Sequence, residues 1–381
     1  MNKIAGFLKK EPMLTVSAAA AVISLFITPP SARLLHDIDW HTLGTLLMML
    51  CVLEGFKQEQ ILNPLLRFTA KLRSMTSLSL FLIFGVFFSS MFVTNDVSLV
   101  IFVPLTILIF RAGDKEKYIL PVITMENIAA IRGSLLMPFG SPQNLFLFTQ
   151  SGTSVSNFML HMLPLCAMSA VLLIVFVCVL YRKDLREQIR FPADYTKNAP
   201  PPARRNIRIA YLALFTLILL TIVTRTQFWY ISVGIVIAVI AIADRQMFRK
   251  VDYVLLFTFL CFFIFSSSVA ANEKIAAILE TAVSGHEYWW SIGLSQIISN
   301  VPSTIVLYPF TDNFAALIYG ADTAGLCSLI GSLASVINYR IYVREYPQNG
   351  RQFIKVFTLI SWAFFIIVVI PGLLLSKWPF F

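Results

Sequence analysis

Charged residues are scarce in this sequence: they make up 13% of its 381 residues, whereas 57% are hydrophobic. A soluble domain carries about 25% charged residues, because its surface must be solvated. Half that share leaves too little polar surface to cover a water-soluble globule, whereas a bilayer tolerates an apolar exterior. The composition therefore excludes an ordinary soluble protein and predicts an all-α integral membrane protein.

Motifs for catalysis are also lacking. The four histidines form no His-Glu-x-x-His pair, and no Ser/His/Asp or phosphate-loop motif occurs. The five cysteines have no paired spacing and are expected to be packing residues. These absences argue against an enzyme, against a bound cofactor, and against an ATP-driven pump unless a partner supplies the ATPase. The net charge of +10 does not indicate nucleic-acid binding, because the basic residues form short clusters between apolar runs.

Nine apolar runs approach the length of about 20 residues that a membrane-spanning helix needs. They are 13–29, 40–55, 118–137, 158–181, 207–224, 228–243, 253–270, 323–339 and 353–375. The first run follows Lys3, Lys9 and Lys10. Its length favours a retained transmembrane helix over a cleaved signal peptide.

Two further apolar stretches, 78–110 and 289–319, are each interrupted by polar residues. The interruptions are Thr94-Asn95-Asp96 and Ser299-Asn300. At the helical rise, the arm 289–298 covers about 15 Å, half of the roughly 30 Å hydrocarbon core, and the arms of the first stretch reach about 24 and 21 Å. Both stretches are therefore predicted to be re-entrant hairpins with tips inside the membrane. Two short tilted spans are the alternative for 78–110.

The positive-inside rule orients this topology. With a cytoplasmic N-terminus and an outside C-terminus, most of the 30 basic residues fall on the cytoplasmic side, and only Arg132 falls within a span. The chain is thus predicted to be a multi-pass protein of a bacterial-type cytoplasmic (inner) membrane. The first hairpin opens to the cytoplasm, and the second, flanked by Glu280, Glu287 and Asp322, opens outside.

The same topology divides the chain into four parts. Residues 1–39 form an N-terminal transmembrane helix, and 40–181 form a first repeat. Residues 182–252 form a linker loop and two helices, and 253–381 form a second repeat of opposite orientation. Inverted repeats with broken helices are a recurrent plan of secondary transporters.

The hairpin tips share residue types at identical spacing. The aligned segments are Ser90-x3-Thr94-Asn95-x-x-Ser98 and Ser295-x3-Ser299-Asn300-x-x-Ser303. Each repeat also breaks a second helix, at Gly140-Ser141-Pro142-Gln143-Asn144 and at Gly331-Ser332-Leu333-Ala334-Ser335. Broken helices expose carbonyls for a cation and N–H groups for an anion, so these motifs predict a substrate or ion site. The alternative is that small and hydroxyl-bearing residues merely hold membrane helices together.

These motifs resemble those of the ion-transporter superfamily, which includes arsenite permeases, citrate permeases and divalent anion:sodium symporters. Thr94-Asn95-Asp96-Val97-Ser98 with Pro104 is similar to the arsenite-permease version of the first hairpin. Ser299-Asn300-Val301-Pro302-Ser303 and Gly331-Ser332-Leu333-Ala334 are similar to its second-repeat motifs. As a whole, the chain looks like the small YbiR-type anion permeases.

The resemblance implies a sodium ion near Ser90, Thr94, Asn95 and Gly140, and a second near Ser295, Ser299, Asn300 and Gly331. It also implies substrate between the two tips, an elevator motion of the hairpin-bearing part and a homodimer. The sequence departs from the symporters, whose tips read Ser-Asn-Thr, because Asp96 and Val301 follow the two tip asparagines.

Two carboxyl groups lie within predicted membrane segments and are candidates for proton coupling. Asp96 stands at the first tip, where it could ligate a cation or exchange a proton; the alternative is that it caps the following helix. Glu126 lies in a span and is either a second proton-handling group or an interhelical hydrogen-bonding partner.

The sequence therefore predicts a secondary transporter of a small inorganic or organic anion, driven by a sodium or proton gradient. Its predicted partners are that solute and the lipid bilayer, with no nucleic acid. The first alternative is a sodium/proton antiporter, and the second is a membrane-bound enzyme or scaffold with no transport activity.

Overall fold

A computed structural model of the chain describes residues 12–28, 38–59, 72, 74–185, 187–189, 205–224 and 226–378. The predicted basic segment with Lys3, Lys9 and Lys10 lies outside the described residues, as do residues 60–71 and most of the linker loop that begins at residue 182. Sixteen α-helices and no β-strand occur in the described part of the chain.

The helices are α1 (Pro12–Ile27), α2 (Trp40–Gln58), α3 (Met75–Val93), α4 (Asn95–Ala112), α5 (Ile119–Ser134), α6 (Pro142–Ser151), α7 (Val155–Leu180) and α8 (Arg205–Thr224). The others are α9 (Trp229–Ala243), α10 (Tyr253–Ala270), α11 (Glu273–Val283), α12 (Glu287–Ile298), α13 (Asn300–Leu307), α14 (Phe314–Ala324), α15 (Leu333–Glu345) and α16 (Gly350–Ser376).

Six of these helices are long and apolar enough to cross a membrane, and α1, α2 and α9 contain shorter apolar segments. Large apolar side chains such as Phe26, Leu160 and Leu359 are exposed on the outer faces. A bilayer accommodates such a surface, whereas water does not. The predicted fold class, an all-α integral membrane protein, is confirmed.

The helices form two groups. In the peripheral group α1 packs on α10, while α8 and α9 pack on α2. The hairpin-bearing group contains α3–α7 and α12–α16. The groups meet where α2 and α10 contact α6 and α13; there Ser266 donates to the Ile305 carbonyl at 2.8 Å, and the rings of Phe146 and Phe263 are 5.4 Å apart.

The first hairpin consists of α3 and α4, joined at the single residue Thr94. Its arms are antiparallel, because Ser89 donates to Ser98 at 2.9 Å and Gly85 lies against the Phe102 ring. The arms have 19 and 18 residues, or about 28 and 27 Å, and are longer than the apolar run suggested. Both helices continue through polar or charged residues near the open end of the hairpin. The length of the arms is therefore close to the roughly 30 Å of the hydrocarbon core and does not exclude two membrane-spanning helices here.

The second hairpin is shorter than predicted. Its arms are α12 and α13, with 12 and 8 residues joined at Ser299. The predicted continuation of the second arm to residue 319 is wrong, because a 3-10 turn at Tyr308–Phe310 ends it. A new helix, α14, then begins where the Asn313 side chain accepts from the Ala316 amide at 3.1 Å. The polar segment Thr311-Asp312-Asn313, with Asn313 as the helix cap, thus divides the predicted apolar stretch.

The predicted span 323–339 is also wrong. The helix α14 ends at Ala324, and residues 325–332 form a non-helical segment before α15 begins at Leu333. The pair α14/α15 is therefore a broken helix, as is the pair α5/α6, in which residues 135–141 form the break. Both predicted breaks overlap the observed ones only in their first two residues, 140–141 and 331–332, because the next helix begins at Pro142 and at Leu333.

The two hairpins open toward opposite ends of the long helix α7. At its C-terminal end, Tyr181 lies 2.8 Å from Ser79, near the open end of the first hairpin. At its N-terminal end, His161 lies 3.1 Å from the Trp378 carbonyl, which follows α16. The C-terminal end of α16 is also where Ser376 accepts from Asn313, near the open end of the second hairpin.

Candidate functional site

The two hairpin tips have the same unusual backbone conformation. Thr94 has φ 70° and ψ 158°, and Ser299 has φ 71° and ψ 161°. This region of φ/ψ space is essentially restricted to glycine and costs about 1–3 kcal/mol for other residues. The two tips thus have the same strained conformation at positions that align in the sequence.

The tip asparagines make the same hydrogen bond in both hairpins, and the serines that follow bond to nearby tip carbonyls. Asn95 Oδ1 accepts from the Asp96 amide at 2.9 Å, and Asn300 Oδ1 accepts from the Val301 amide at 3.0 Å. The hydroxyls that follow also bond to the tip backbone. Ser98 donates to the Thr94 carbonyl at 2.9 Å, and Ser303 donates to the Asn300 carbonyl at 2.9 Å.

The serines before the tips behave differently from each other. Ser295 pairs with Ser303 at 2.7 Å, but in the first hairpin it is Ser89, not the aligned Ser90, that pairs with Ser98. Ser90 instead donates to the Phe87 carbonyl at 2.9 Å and lies beside α5, close to Gly133. The two predicted serines are therefore not equivalent in the structure.

The breaks in the two broken helices have matching geometry. Ser141 and Ser332 precede α6 and α15 with φ −149° in both and ψ 154° and 139°. Each break folds back on the end of the preceding half-helix. Asn144 donates to the Ser134 carbonyl at 3.1 Å, and Ser335 donates to the Gly325 carbonyl at 3.4 Å. Pro142 is the first residue of α6, where a missing N–H costs nothing.

Each tip lies beside the break of its own repeat. The rings of Phe92 and Phe139 are 6.4 Å apart at the first tip. At the second tip, Gln296 donates to the Ala324 carbonyl at 3.2 Å and accepts from Ser328 at 2.7 Å. The comparison of the two tip sequences did not point to Gln296, because the aligned position of the first hairpin carries no amide side chain.

Several polar oxygens near the first break are buried without a hydrogen-bond partner among the described residues: Ser141 Oγ, Gln143 Oε1 and Asn144 Oδ1. Buried polar atoms are normally paired, so unpaired oxygens at one break are available for a cation or an ordered water. No cluster of three or more His, Cys, Asp or Glu side chains that could hold a metal occurs in the part of the chain that the structure describes.

The two predicted carboxyl groups lie apart from each other, on α4 and α5. Asp96 is in the first turn of α4, and its Oδ1 is buried without a partner in the described structure, so that oxygen does not cap the helix. Glu126 is fully buried; Oε1 accepts a short hydrogen bond from Thr106, while Oε2 has no partner among the described residues.

An ion pair that the sequence did not predict connects the repeats. Arg132 near the end of α5 donates to Asp322 near the end of α14, and both residues are buried. The prediction that Asp322 flanks the second hairpin is wrong, because α14 lies where the second arm was expected to end. Arg132, the only basic residue in a predicted span, was the one signal in the sequence for this ion pair. It did not identify the partner, because Asp322 lies 190 residues further along the chain.

The repeats also contact each other through amides. Asn127 donates to Ser335 at 3.0 Å, and Asn338 donates to the Ile123 carbonyl at 2.7 Å. These bonds hold α5 of the first repeat against α15 of the second.

Two strained hairpin tips, each beside a broken helix in a molecule of apolar helices, define a multi-pass membrane protein of the transporter class. The citrate transporter family model (CitMHS) matches residues 5–331, most of the chain. The chain belongs to this family, and the predicted ion-transporter superfamily is confirmed.

Three relatives are similar along most of their length. "Inner membrane protein YbiR" of Escherichia coli (strain K12) is 31% identical over 312 residues, which is 80% of each chain. "Uncharacterized transporter MJ0456" of Methanocaldococcus jannaschii is 27% identical over 94% of this chain and 95% of its own. The "46 kDa membrane protein" of Mycobacterium leprae is 22% identical over 87% of this chain and 86% of its own.

Proposed function

We propose that this chain is a secondary active transporter of a small inorganic or organic anion in the cytoplasmic (inner) membrane, coupled to a sodium or proton gradient. The observation that carries the proposal is the identical strained conformation of Thr94 and Ser299, each in a tip beside a broken helix. Half-helix ends and unwound backbone are the sites that transporters use for anions and sodium. The family name makes citrate the first anion to test.

Sodium coupling is supported by the chemistry of the tips. Thr94, Asn95, Ser299 and Asn300 offer hydroxyl, amide and backbone oxygens, and Gly140 and Gly331 bring each break close to its half-helix. Neutral oxygens suit sodium, since they replace its hydration shell without burying net charge. In this proposal Ser90, Ser98, Ser141, Asn144, Ser295, Ser303 and Ser332 complete the ion and substrate surfaces.

An elevator motion is supported by the division into two helix groups. In this proposal the peripheral group stays fixed and forms a homodimer, while the hairpin-bearing group moves the tips across the membrane. The opposite openings of the hairpins support inverted repeats. The distribution of basic residues favours an N-terminus in the cytoplasm and a C-terminus outside.

The second candidate is a sodium/proton antiporter. It is favoured by Asp96 and Glu126, because each has one buried oxygen with no partner in the described structure. An antiporter needs carboxyl groups that exchange a proton for a metal ion.

The test is uptake into proteoliposomes that contain the purified protein. Labelled citrate, phosphate, sulfate and arsenite are offered under imposed sodium or proton gradients, with Asn95→Ala and the exposed Asn157→Ala as a matched pair of variants. We expect gradient-driven accumulation of one anion that Asn95→Ala lowers and Asn157→Ala does not. If no anion moves but internal pH responds to added sodium, the anion proposal is wrong and the antiporter takes its place.

A further inference from the structure

The ion pair Arg132–Asp322 lies where the two repeats meet. Arg132 is two residues before the end of α5, and Asp322 is two residues before the end of α14. Both helices stop at their breaks immediately afterwards, so the pair joins the half-helix ends of both repeats. Its side chains are 0% and 3% exposed.

The guanidinium group has unused donors. Nη1 donates to Asp322 Oδ2, and Nη2 reaches Thr323 Oγ1 only at 3.5 Å. Nε is buried and has no partner among the described residues. A guanidinium carries five N–H donors, and leaving one unpaired in a buried site costs free energy. Arg132 therefore keeps donor capacity for oxygen atoms that this conformation does not supply.

The charge of Arg132 is also distinctive. Among the residues that the structure describes, Arg132 is the one basic residue whose side chain is buried. An anion that crosses the hydrocarbon core needs a counter-charge, because an isolated buried charge is strongly unfavourable. An ionised Asp322 already neutralises Arg132, so a substrate anion and Asp322 compete for the same cation.

Given the proposed anion transport, on which this inference rests, we propose that Arg132 binds the oxygen atoms of the substrate. Without substrate, the Asp322 carboxylate pairs with Arg132, and the substrate takes its place when a proton binds Asp322. A proton from the aqueous phase binds Asp322 and ends the ion pair. A carboxylate or other monoanionic oxyanion then pairs with the guanidinium through the adjacent N–H groups of Nε and Nη2. On release, the proton and the anion leave together and the ion pair forms again, so one proton accompanies each negative charge.

The groups that face the pair do not compete for this role. They are Cys166 on α7, Tyr288 on α12, Tyr319 on α14 and Cys327 in the second break. On α16 the neighbour of Thr323 is Gly372, and on α3 the neighbour of Gly133 is Ser90. Thiols and phenols are uncharged near pH 7 by their ordinary pKa values, so Asp322 is the one carboxyl group of this set.

The test compares single and double variants in proteoliposomes. Removing one partner of a buried pair strands a charge, whereas replacing both by neutral residues of similar shape avoids that cost. We expect Arg132→Gln/Asp322→Asn to keep the thermal unfolding temperature of the wild type but to bind the transported anion at least about tenfold more weakly. Asp322→Asn should bind the anion with no dependence on pH between 5 and 8 and should lose proton-driven accumulation.

Arg132→Lys keeps the charge and the ion pair but loses the planar fork, so it keeps the fold even if the double variant does not. It should raise KM about tenfold with little change in unfolding temperature. The control is the exposed pair Arg111–Glu345, whose replacement by two glutamines should leave uptake unchanged.

The outcomes separate the two proposals. If the wild type transports an anion and the double variant does so with the same KM and pH profile, the ion pair is only structural and this inference is overturned. An unchanged KM in Arg132→Lys contradicts it as well. If the wild type moves no anion under any gradient, the proposed function itself fails.

Discussion

Gly140 and Gly331 occupy matching positions in the two breaks, and neither has room for a side chain. A Cβ added to Gly140 would lie 2.3 Å from the Ser134 carbonyl oxygen, and one added to Gly331 would lie 2.2 Å from the Ala324 carbonyl oxygen. In both cases the obstacle is backbone at the end of the preceding half-helix. Within each break the chain passes so close to the end of the preceding half-helix that only glycine fits.

We therefore expect Gly140→Ala and Gly331→Ala each to destabilise the protein by about 1–3 kcal/mol, because backbone must move to admit the methyl group. Thermal unfolding in detergent measures the loss. Gly293→Ala in α12 is the matched control, since nothing lies within 4 Å of its added Cβ. Equal unfolding temperatures for all three variants would show that the breaks relax without cost.

The strained tips lead to a prediction of the opposite sign. Ser299→Gly should raise stability by about 1 kcal/mol, because glycine adopts the φ of 71° and ψ of 161° without a steric penalty. Thr94→Gly should do the same in the first tip. Both variants lose a tip hydroxyl, so we expect weaker activation of uptake by sodium in the same proteins. A fall in stability would mean that the side chains contribute more than the strain costs.

A cluster near the open end of the first hairpin makes stability depend on pH. Burial raises the pKa of Glu187, but hydrogen bonds from Lys115 at 2.7 Å and Tyr118 at 2.5 Å outweigh it, so the pKa is lowered in the folded protein. A lowered pKa stabilises the fold above the unfolded-state pKa of about 4.3 and loses that contribution as pH falls through the folded value.

Glu187→Gln should therefore be less stable than the wild type at pH 7, and the difference should shrink toward zero below about pH 4. Unfolding temperatures measured across that range test the effect. Glu116→Gln, an exposed carboxylate two residues from Tyr118, is the control and should follow the wild-type curve. A constant difference between Glu187→Gln and the wild type at all pH values would contradict this linkage.

The proposed motion requires contacts between the helix groups to break. Gln150 on α6 donates to Asp39 at 2.9 Å and accepts from Tyr308 at 3.0 Å, so it ties the peripheral group to both repeats. In a cysteine-free background, Asp39→Cys/Gln150→Cys should allow a bifunctional thiol reagent to arrest uptake, with recovery after reduction of a cleavable linker.

The control cross-link lies within the peripheral group. Thr221 on α8 donates to Ser232 on α9 at 2.8 Å, and Thr221→Cys/Ser232→Cys should tolerate the same reagent without loss of uptake. Uptake that continues after complete cross-linking of positions 39 and 150 would rule out relative motion at this contact.

Local sequence was sufficient for much of the fold. Scarce charge predicted the membrane class, and the polar residues around Thr94, Ser299, Gly140 and Gly331 marked all four interruptions. Each is a local property, since a polar or glycine-containing break in an apolar run has few stable alternatives at membrane depth. The boundary after the second hairpin was predicted wrongly, although Thr311-Asp312-Asn313 is a polar helix-capping signal there, because the apolar residues on both sides were taken as one stretch.

By itself, the sequence determined that the chain is a bundle of apolar helices with two hairpins and two broken helices, because the length and polarity of each segment decide those features. Tertiary structure alone decided that Ser89 rather than Ser90 pairs across the first hairpin, and that Arg132 and Asp322 meet between the repeats. Such contacts depend on how helices far apart in the chain rotate and pack against each other. Buried charges find their partners only in that packing.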